Sequence, residues 1–200
     1  RGLGDVYKRQ VEDQGDAFGD LGTLLILIVI LVYIVMATQF ESLKFPFIIM
    51  FTIPFAFTGV FLALWMTSTP LSLIALIGAI MLVGIVTKNG IVMVDYMNLL
   101  IERGSGVFDA VIAGGKSRLR PVLMTSFTTI LGMLPLAIGT GAGSETWQPM
   151  GIAVIGGLTF STILTLFIVP VLYSILVNRS QRKEREKLAR LSAEHQASKH

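Results

Sequence analysis

The sequence predicts an all-α integral membrane protein, a bundle of five transmembrane helices, and three observations carry that prediction. Of its 200 residues, 53% are hydrophobic and only 14% charged, with a mean hydropathy of +0.73, a balance outside the range of soluble domains. Five apolar stretches of membrane-spanning length follow one another, separated by short turns. The lysines and arginines between them fall only in alternate connections. Cysteine is absent, which excludes disulfides and thiolate metal sites. The net charge of +3 is spread over loops and tail, a pattern of membrane topology and not of nucleic-acid binding. The polar start at Arg1 holds no secretory signal, and a multi-helix membrane protein opening this way is expected to be a piece of a longer one.

Residues 1–20 are polar and glycine-rich without an apolar period, and are read as a loosely ordered lead-in. Leu21 to Ala37 is free of charge and forms the first span. A short loop, TQFESLKFP, follows, with Pro46 near the start of the next helix, where proline is tolerated. Phe47 to Met66 is the second span, and Pro54 inside it predicts a kink or an irregular point. The turn TSTP leads into the third span, Leu71 to Leu100. At about 44 Å this helix exceeds the roughly 30 Å hydrocarbon core, so it tilts or projects. Glu102 to Ser117 reads as the longest connection, with VFDAVIAGG as a short interfacial amphipathic helix. Pro121 to Ile138 is the fourth span, GTGAGSETWQP a turn, and Gly151 to Val177 the fifth span, carrying Pro170. Asn178 to His200 is a charged tail in which Glu186 and Arg190 have the spacing of a helical pair.

Orientation follows from the cations. Lys44 lies after the first span; Arg103, Lys116, Arg118 and Arg120 lie after the third. The tail holds Arg179, Arg182, Lys183, Arg185, Lys187, Arg190 and Lys199, whereas TSTP and GTGAGSETWQP hold none. All of these fall on one side, which the positive-inside rule makes cytoplasmic, with the amino terminus outside and the carboxyl terminus inside. Trp65 and Trp147 then sit at the outer boundary, as interfacial aromatic residues do.

One charge breaks the apolar pattern. Lys88 stands about two-thirds of the way along the third span, where an ammonium costs roughly 2.5–3.5 kcal/mol on insertion scales. Gly84, Lys88, Ile91 and Asp95 share one helical stripe, and Gly84 removes bulk one turn from the lysine, letting a neighbouring helix approach. Lys88 and Asp95 stand two turns apart, too far for a direct salt bridge. No other acid lies in a span, so the counter-ion of Lys88 is expected on polypeptide outside this chain. The plain alternative is that Lys88 snorkels to the cytoplasmic surface.

The fourth span offers a companion stripe: Arg118, Val122, Thr125, Thr129 and Gly132. A guanidinium at the inner mouth with hydroxyls above it suits a file of water or a proton relay. Equally, Arg118 and Arg120 are topology anchors, and the threonines bond the carbonyls of the preceding turn. Pro121 is placed to break this stripe between Arg118 and Thr125. Several apparent motifs fail. Gly114-Gly115-Lys116-Ser117 lacks the first glycine and the strand of a phosphate loop, and Gly139, Gly141 and Gly143 lack the last glycine of a dinucleotide fingerprint. His195 and His200 have no ligand companions in the tail, and Ser126 shows no base at nucleophile spacing.

The segments MATQFESLKFPFIIMFTIPFAFTGV, LIGAIMLVGIVTKNGIVMVDYMN, RLRPVLMTSFTTILGMLPLAIGTGAGS and GGLTFSTILTLFIVPVLY closely resemble the carboxyl-terminal membrane half of resistance-nodulation-division (RND) transporters. The resemblance runs from about Val11 to Val177, and GIVTKNGIV looks most like the hydrophobe/amphiphile multidrug branch. Residues 1–10 fall outside it and read as a sequence-end artefact. The resemblance implies three regions: a periplasmic lead-in over 1–20, five transmembrane helices over 21–178 and a basic cytoplasmic tail over 179–200. It implies a proton-driven exporter of the bacterial inner membrane, a secondary transporter and not an enzyme, using the proton-motive force without a cofactor. The family lysine that interacts with paired aspartates of the first half corresponds to Lys88, and the family's proton-translocation arginine and threonine correspond to Arg118 and Thr125. Asn89, Asp95 and Thr129 are supporting positions. Expected partners are the amino-terminal half of the same protein, two further copies in a homotrimer, a periplasmic adaptor, an outer-membrane channel and the lipid bilayer. The competing readings are a related transporter of other cargo (lipid, protein-export or metal) and a membrane scaffold without transport.

Overall fold

The computed structural model describes residues 2–197; the side chains of residues 2, 3, 184, 185 and 192–197 are outside the description. Arg1, Lys199 and His200 lie outside the described residues, as do the side chains of Arg185 and His195. The described residues form six α-helices: α1 (Gly2–Phe40), α2 (Lys44–Met50), α3 (Thr52–Met66), α4 (Leu73–Glu102), α5 (Val107–Ile138) and α6 (Ser144–Ala197). With α2 and α3 forming one crossing, five helical segments are long and apolar enough to span a membrane. The five-helix all-α bundle is therefore what the chain builds.

At four places the helices run well beyond the sequence expectation. Residues 2–20 are helical and continue into the first span. Once the apolar segment supplies a helical nucleus, each further residue adds one hydrogen bond at little cost. The connection after α4 is only residues 103–106, and VFDAVIAGG is the opening of α5, not a separate interfacial helix. The helix α5 passes through Pro121 and Pro135 without ending; a proline removes one backbone bond, which a long helix between packed neighbours tolerates. Finally, α6 begins at Ser144 and runs on through the tail, where Glu186 pairs with Arg182, at 3.3 Å. The pairing with Arg190 suggested by spacing is not the one observed.

The turns obey their residues. Pro54 lacks an amide and its ring crowds the carbonyl of Met50; the helix breaks at Phe51, between α2 and α3, the irregular point expected. Ser72 caps α4 by accepting the Ala75 amide at 3.2 Å. Gly139 closes α5 in the left-handed conformation, φ 71°, and Gly141 and Gly143 also have positive φ, a backbone that glycine adopts at no steric cost.

Helix α6 is the axis of the bundle, with α3, α4 and α5 packed along it. Small residues make the approach possible. A Cβ on Gly156 would stand 2.1 Å from Cβ of Ala63, and one on Gly59 2.6 Å from Cβ of Phe160. Gly151 meets the backbone of Ala137 on α5, and Gly78 of α4 meets Met150. Two apolar clusters fill the core. One joins Val60, Leu64, Leu82, Val86 and Leu158; the other joins Met36, Ile49, Met93, Met97 and Tyr173. Tyr173 is fully buried, stacks on Phe45 with ring centres 5.5 Å apart, and donates its hydroxyl to Oδ1 of Asn98. Helix α1 is peripheral, and among the described residues its backbone comes close only to α2 and α4.

The connections sort by charge. Nζ of Lys44 donates to Oγ of Ser180 at 2.9 Å, and Gly106 and Val107 share a cavity with Asn178 and Arg182. The lysine- and arginine-bearing connections thus meet at one end of the bundle. Thr67, Ser68 and Thr69 share a cavity with Glu145 and Gln148 at the other.

Candidate functional site

Lys88 sits at the midpoint of α4, about 22 Å from either helix end at 1.5 Å per residue. An α-helix turns about 100° per residue, and the consequence here is a sharp division between neighbours. Asn89 and Gly90 face the chain's own core, Gly90 so closely that a Cβ would come within 2.8 Å of Ile49. Lys88, Gly84 and Asp95 face away from it and are exposed. Among the described residues, no neighbouring helix comes within 4 Å of where a Gly84 Cβ would be. Among the described residues Lys88 and Asp95 make no ion pair, with each other or with any other group. Three residues of the stripe read from the sequence, Gly84, Lys88 and Asp95, thus lie on an uncovered face, while Ile91 is half-buried against the second core cluster.

Helix α5 is antiparallel to α4 and brings the second group of predicted residues to the same level. Gly114 packs on Met97; Leu123 and Lys88 lie equally far along from that contact and so stand at one height. Arg118 belongs to the inward stripe of α5, in step with buried Ala110, Gly114, Val122 and Ser126 at four-residue intervals. Its guanidinium rests 4.5 Å over the Tyr96 ring of α4, a cation–π contact worth about 0.5–2 kcal/mol. Its Nε is buried and has no hydrogen-bond partner. Arg118 is thus held beside the residue that follows Asp95, with donor capacity to spare.

The threonines divide. Thr125 is exposed and donates to the carbonyl of Pro121 at 3.0 Å; Thr129 donates to Thr125 at 2.9 Å. Both hydroxyls therefore satisfy the preceding turn, the plain reading of such residues, while their lone pairs stay available as acceptors. The expected single stripe from Arg118 to Gly132 is split. Arg118 and Val122 turn inward, whereas Thr125 and Gly132 turn outward, with open space beside Gly132. The physical reason is the width of the stripe: at about 100° per residue Val122 and Thr125 stand roughly 60° apart around the helix, enough to turn one inward and the other out.

The sequence reading did not find two partners. Tyr96 carries no motif signal, and its role follows only from the register of α4 on α5. Ser126 and Thr162 of α6 form a buried hydroxyl pair at 2.9 Å; the four-residue repeat ending at Ser126 is the signal that points to it. That pairing also gives Ser126 a structural bond in place of a catalytic base. Among the described residues no group of three or more His, Asp or Glu converges as a metal site.

Residues 1–177 match the AcrB/AcrD/AcrF family. The match takes in residues 1–10, so the resemblance begins earlier than the Val11 boundary given above. The multidrug resistance protein MdtC of Erwinia tasmaniensis is 42% identical over 163 residues, 81% of this chain and 16% of that protein. The cobalt-zinc-cadmium resistance protein CzcA of Cupriavidus metallidurans is 41% identical over 155 residues, 78% of this chain and 15% of that protein. The swarming motility protein SwrC of Bacillus subtilis is 38% identical over 86% of this chain and 16% of that protein. A crystal structure of a heavy metal efflux pump superposes with a TM-score of 0.77 at 32% identity, covering 84% of this chain and 17% of that one. The chain spans about one-sixth of the length of the relatives it matches and takes the same fold as that part of the pump.

Proposed function

This chain belongs to the AcrB/AcrD/AcrF family, and from that premise we propose that it supplies half of the proton-coupling site of an RND efflux transporter exporting hydrophobic or amphiphilic compounds. The observation that carries the proposal is the uncovered ammonium of Lys88 at the midpoint of α4, beside the open space at Gly84. A buried cation persists only with a partner or a water path, and this face is shaped to receive both from an opposing helix. The opposing carboxylates belong to the amino-terminal half. When charged they hold Lys88; protonated, they release it, and the helix pair repacks. Arg118 and Thr125 flank that level from α5 and pass protons or water toward it, with Asp95 and Thr129 in support; Asn89, turned into the chain's own core, has no part in this reading. The working protein sits in a bacterial inner membrane as a homotrimer, draws on the proton-motive force, and hands its cargo to a periplasmic adaptor and an outer-membrane channel.

The name of MdtC supports the amphiphile cargo. A second reading, export of a metal cation, is favoured by CzcA, which is 41% identical, and by the heavy metal pump, at 32%. The test uses the full chain in cells. Lys88→Ala is expected to abolish export while the protein inserts at wild-type level; undiminished export by this variant overturns the coupling role. Susceptibility to an amphiphilic dye against susceptibility to cobalt and zinc, measured on the same strains, decides the cargo.

A further inference from the structure

At the end of the bundle where the cationic connections meet, α2 and α6 frame a cavity of about 550 Å³. Four of its lining side chains are cations: Lys44, Arg179, Arg182 and Lys183. One acid, Glu186, also lines it and is engaged by Arg182 at 3.3 Å. The cavity is therefore left with a surplus of positive charge. Its geometry is held from inside, because Lys44 donates to Ser180 across the helix pair at 2.9 Å and Leu176 closes the apolar side. A topological bias toward cations explains their presence on this side of a membrane. It does not explain why Lys44 of α2 is brought onto the three cations that α6 places within one turn.

A second feature adjoins the first. From Arg179 back along α6, Ile175, Val171 and Phe167 recede at four-residue intervals on one face, 45%, 57% and 70% exposed. An apolar lane thus begins one turn from Arg179, which lines the charged cavity. A free phosphate would use the cavity alone; a phospholipid would use both. We propose that this cavity binds the phosphate headgroup of an anionic phospholipid of the inner leaflet, with its acyl chains lying along α6. Basic pockets between helices at the cytoplasmic face suit such headgroups. The inference rests on the cytoplasmic placement of this end and is independent of the cargo and of the Lys88 site.

The test uses the full chain in nanodiscs of equal parts phosphatidylcholine and phosphatidylglycerol, with retained lipid counted by native mass spectrometry after release. The wild type is expected to retain phosphatidylglycerol in preference to phosphatidylcholine. The triple variant Lys44→Gln, Arg179→Gln, Lys183→Gln is expected to lower that retention by about a hundredfold, the scale for removing three cations beside a bilayer. A control, Arg103→Gln, Lys116→Gln, Arg120→Gln, removes equal charge from the same side and is expected to leave retention within about twofold, on the view that dispersed surface charges are screened. Ser180→Glu keeps every topological cation, places a carboxylate in the cavity, and is expected to reduce retention as the triple variant does. Equal loss in cluster and control variants, no preference for phosphatidylglycerol, or full displacement by millimolar inorganic phosphate overturns the proposal. Loss of export with retention unchanged is a failure of the coupling site and leaves this one standing.

Discussion

Lys88 and Asn89 are adjacent in sequence and face opposite ways, and that division sets what each can do. Asn89 belongs to the interior of this chain; Lys88 belongs to whatever covers the outer face of α4. Residue-level predictions follow from the same contrast between filled and open sides. Gly156→Val forces a side chain into Ala63, where even a Cβ would stand at 2.1 Å. It is expected to destabilise the bundle by about 1–3 kcal/mol, as overpacking does, read as a lowered midpoint in a detergent unfolding titration. Gly84→Val meets nothing in this chain, so the midpoint of this segment is expected to hold while export by the full chain falls. The Ser126–Thr162 pair is polar on both sides and buried. A double-mutant cycle with Ser126→Ala and Thr162→Val is expected to give a coupling near 0.6 kcal/mol, the usual scale for hydrogen bonds between membrane helices.

At the level of elements, Pro54 is responsible for dividing one crossing into α2 and α3. It is itself exposed, so Pro54→Ala changes the backbone and little packing. The variant is expected to fuse the two helices across Phe51 and to slow amide exchange there, measured by hydrogen–deuterium exchange with mass spectrometry. The existence, order and number of the spans were legible in the sequence because lipid demands long uncharged runs. Their ends were not. Polarity marks where the membrane stops, and α5 and α6 keep their backbone bonds well beyond that point. The inward faces were equally hard to read, because residues such as Phe167 and Val171 facing lipid are as apolar as Leu158 and Val169 in the core. Hydrophobic period therefore carries little information here, and the glycines carry more: Gly59, Gly78, Gly151 and Gly156 each mark a close crossing. At the candidate site the odd residue, Lys88, was visible as a charge where none belongs, whereas Tyr96 beneath Arg118 depended on a register that no single helix encodes.

For the whole molecule, α6 is the shared partner of α3, α4 and α5 and the most extensive neighbour of each. A chain ending after Gly143 is expected to insert its first helices yet leave them unpacked, which limited proteolysis in detergent reports as rapid cleavage within residues 52–138. The seam of Gly59 against Gly156 and Phe160 carries a consequence for biogenesis. Its two sides are nearly a hundred residues apart in the chain, so at the ribosome's pace of about 5–20 residues per second α3 waits roughly 5–20 seconds for its mate. Throughout that interval a glycine-lined flank with bare backbone lies against lipid or the insertion machinery. Any factor that shelters nascent helices during synthesis will find in α3 a client whose need ends when α6 arrives.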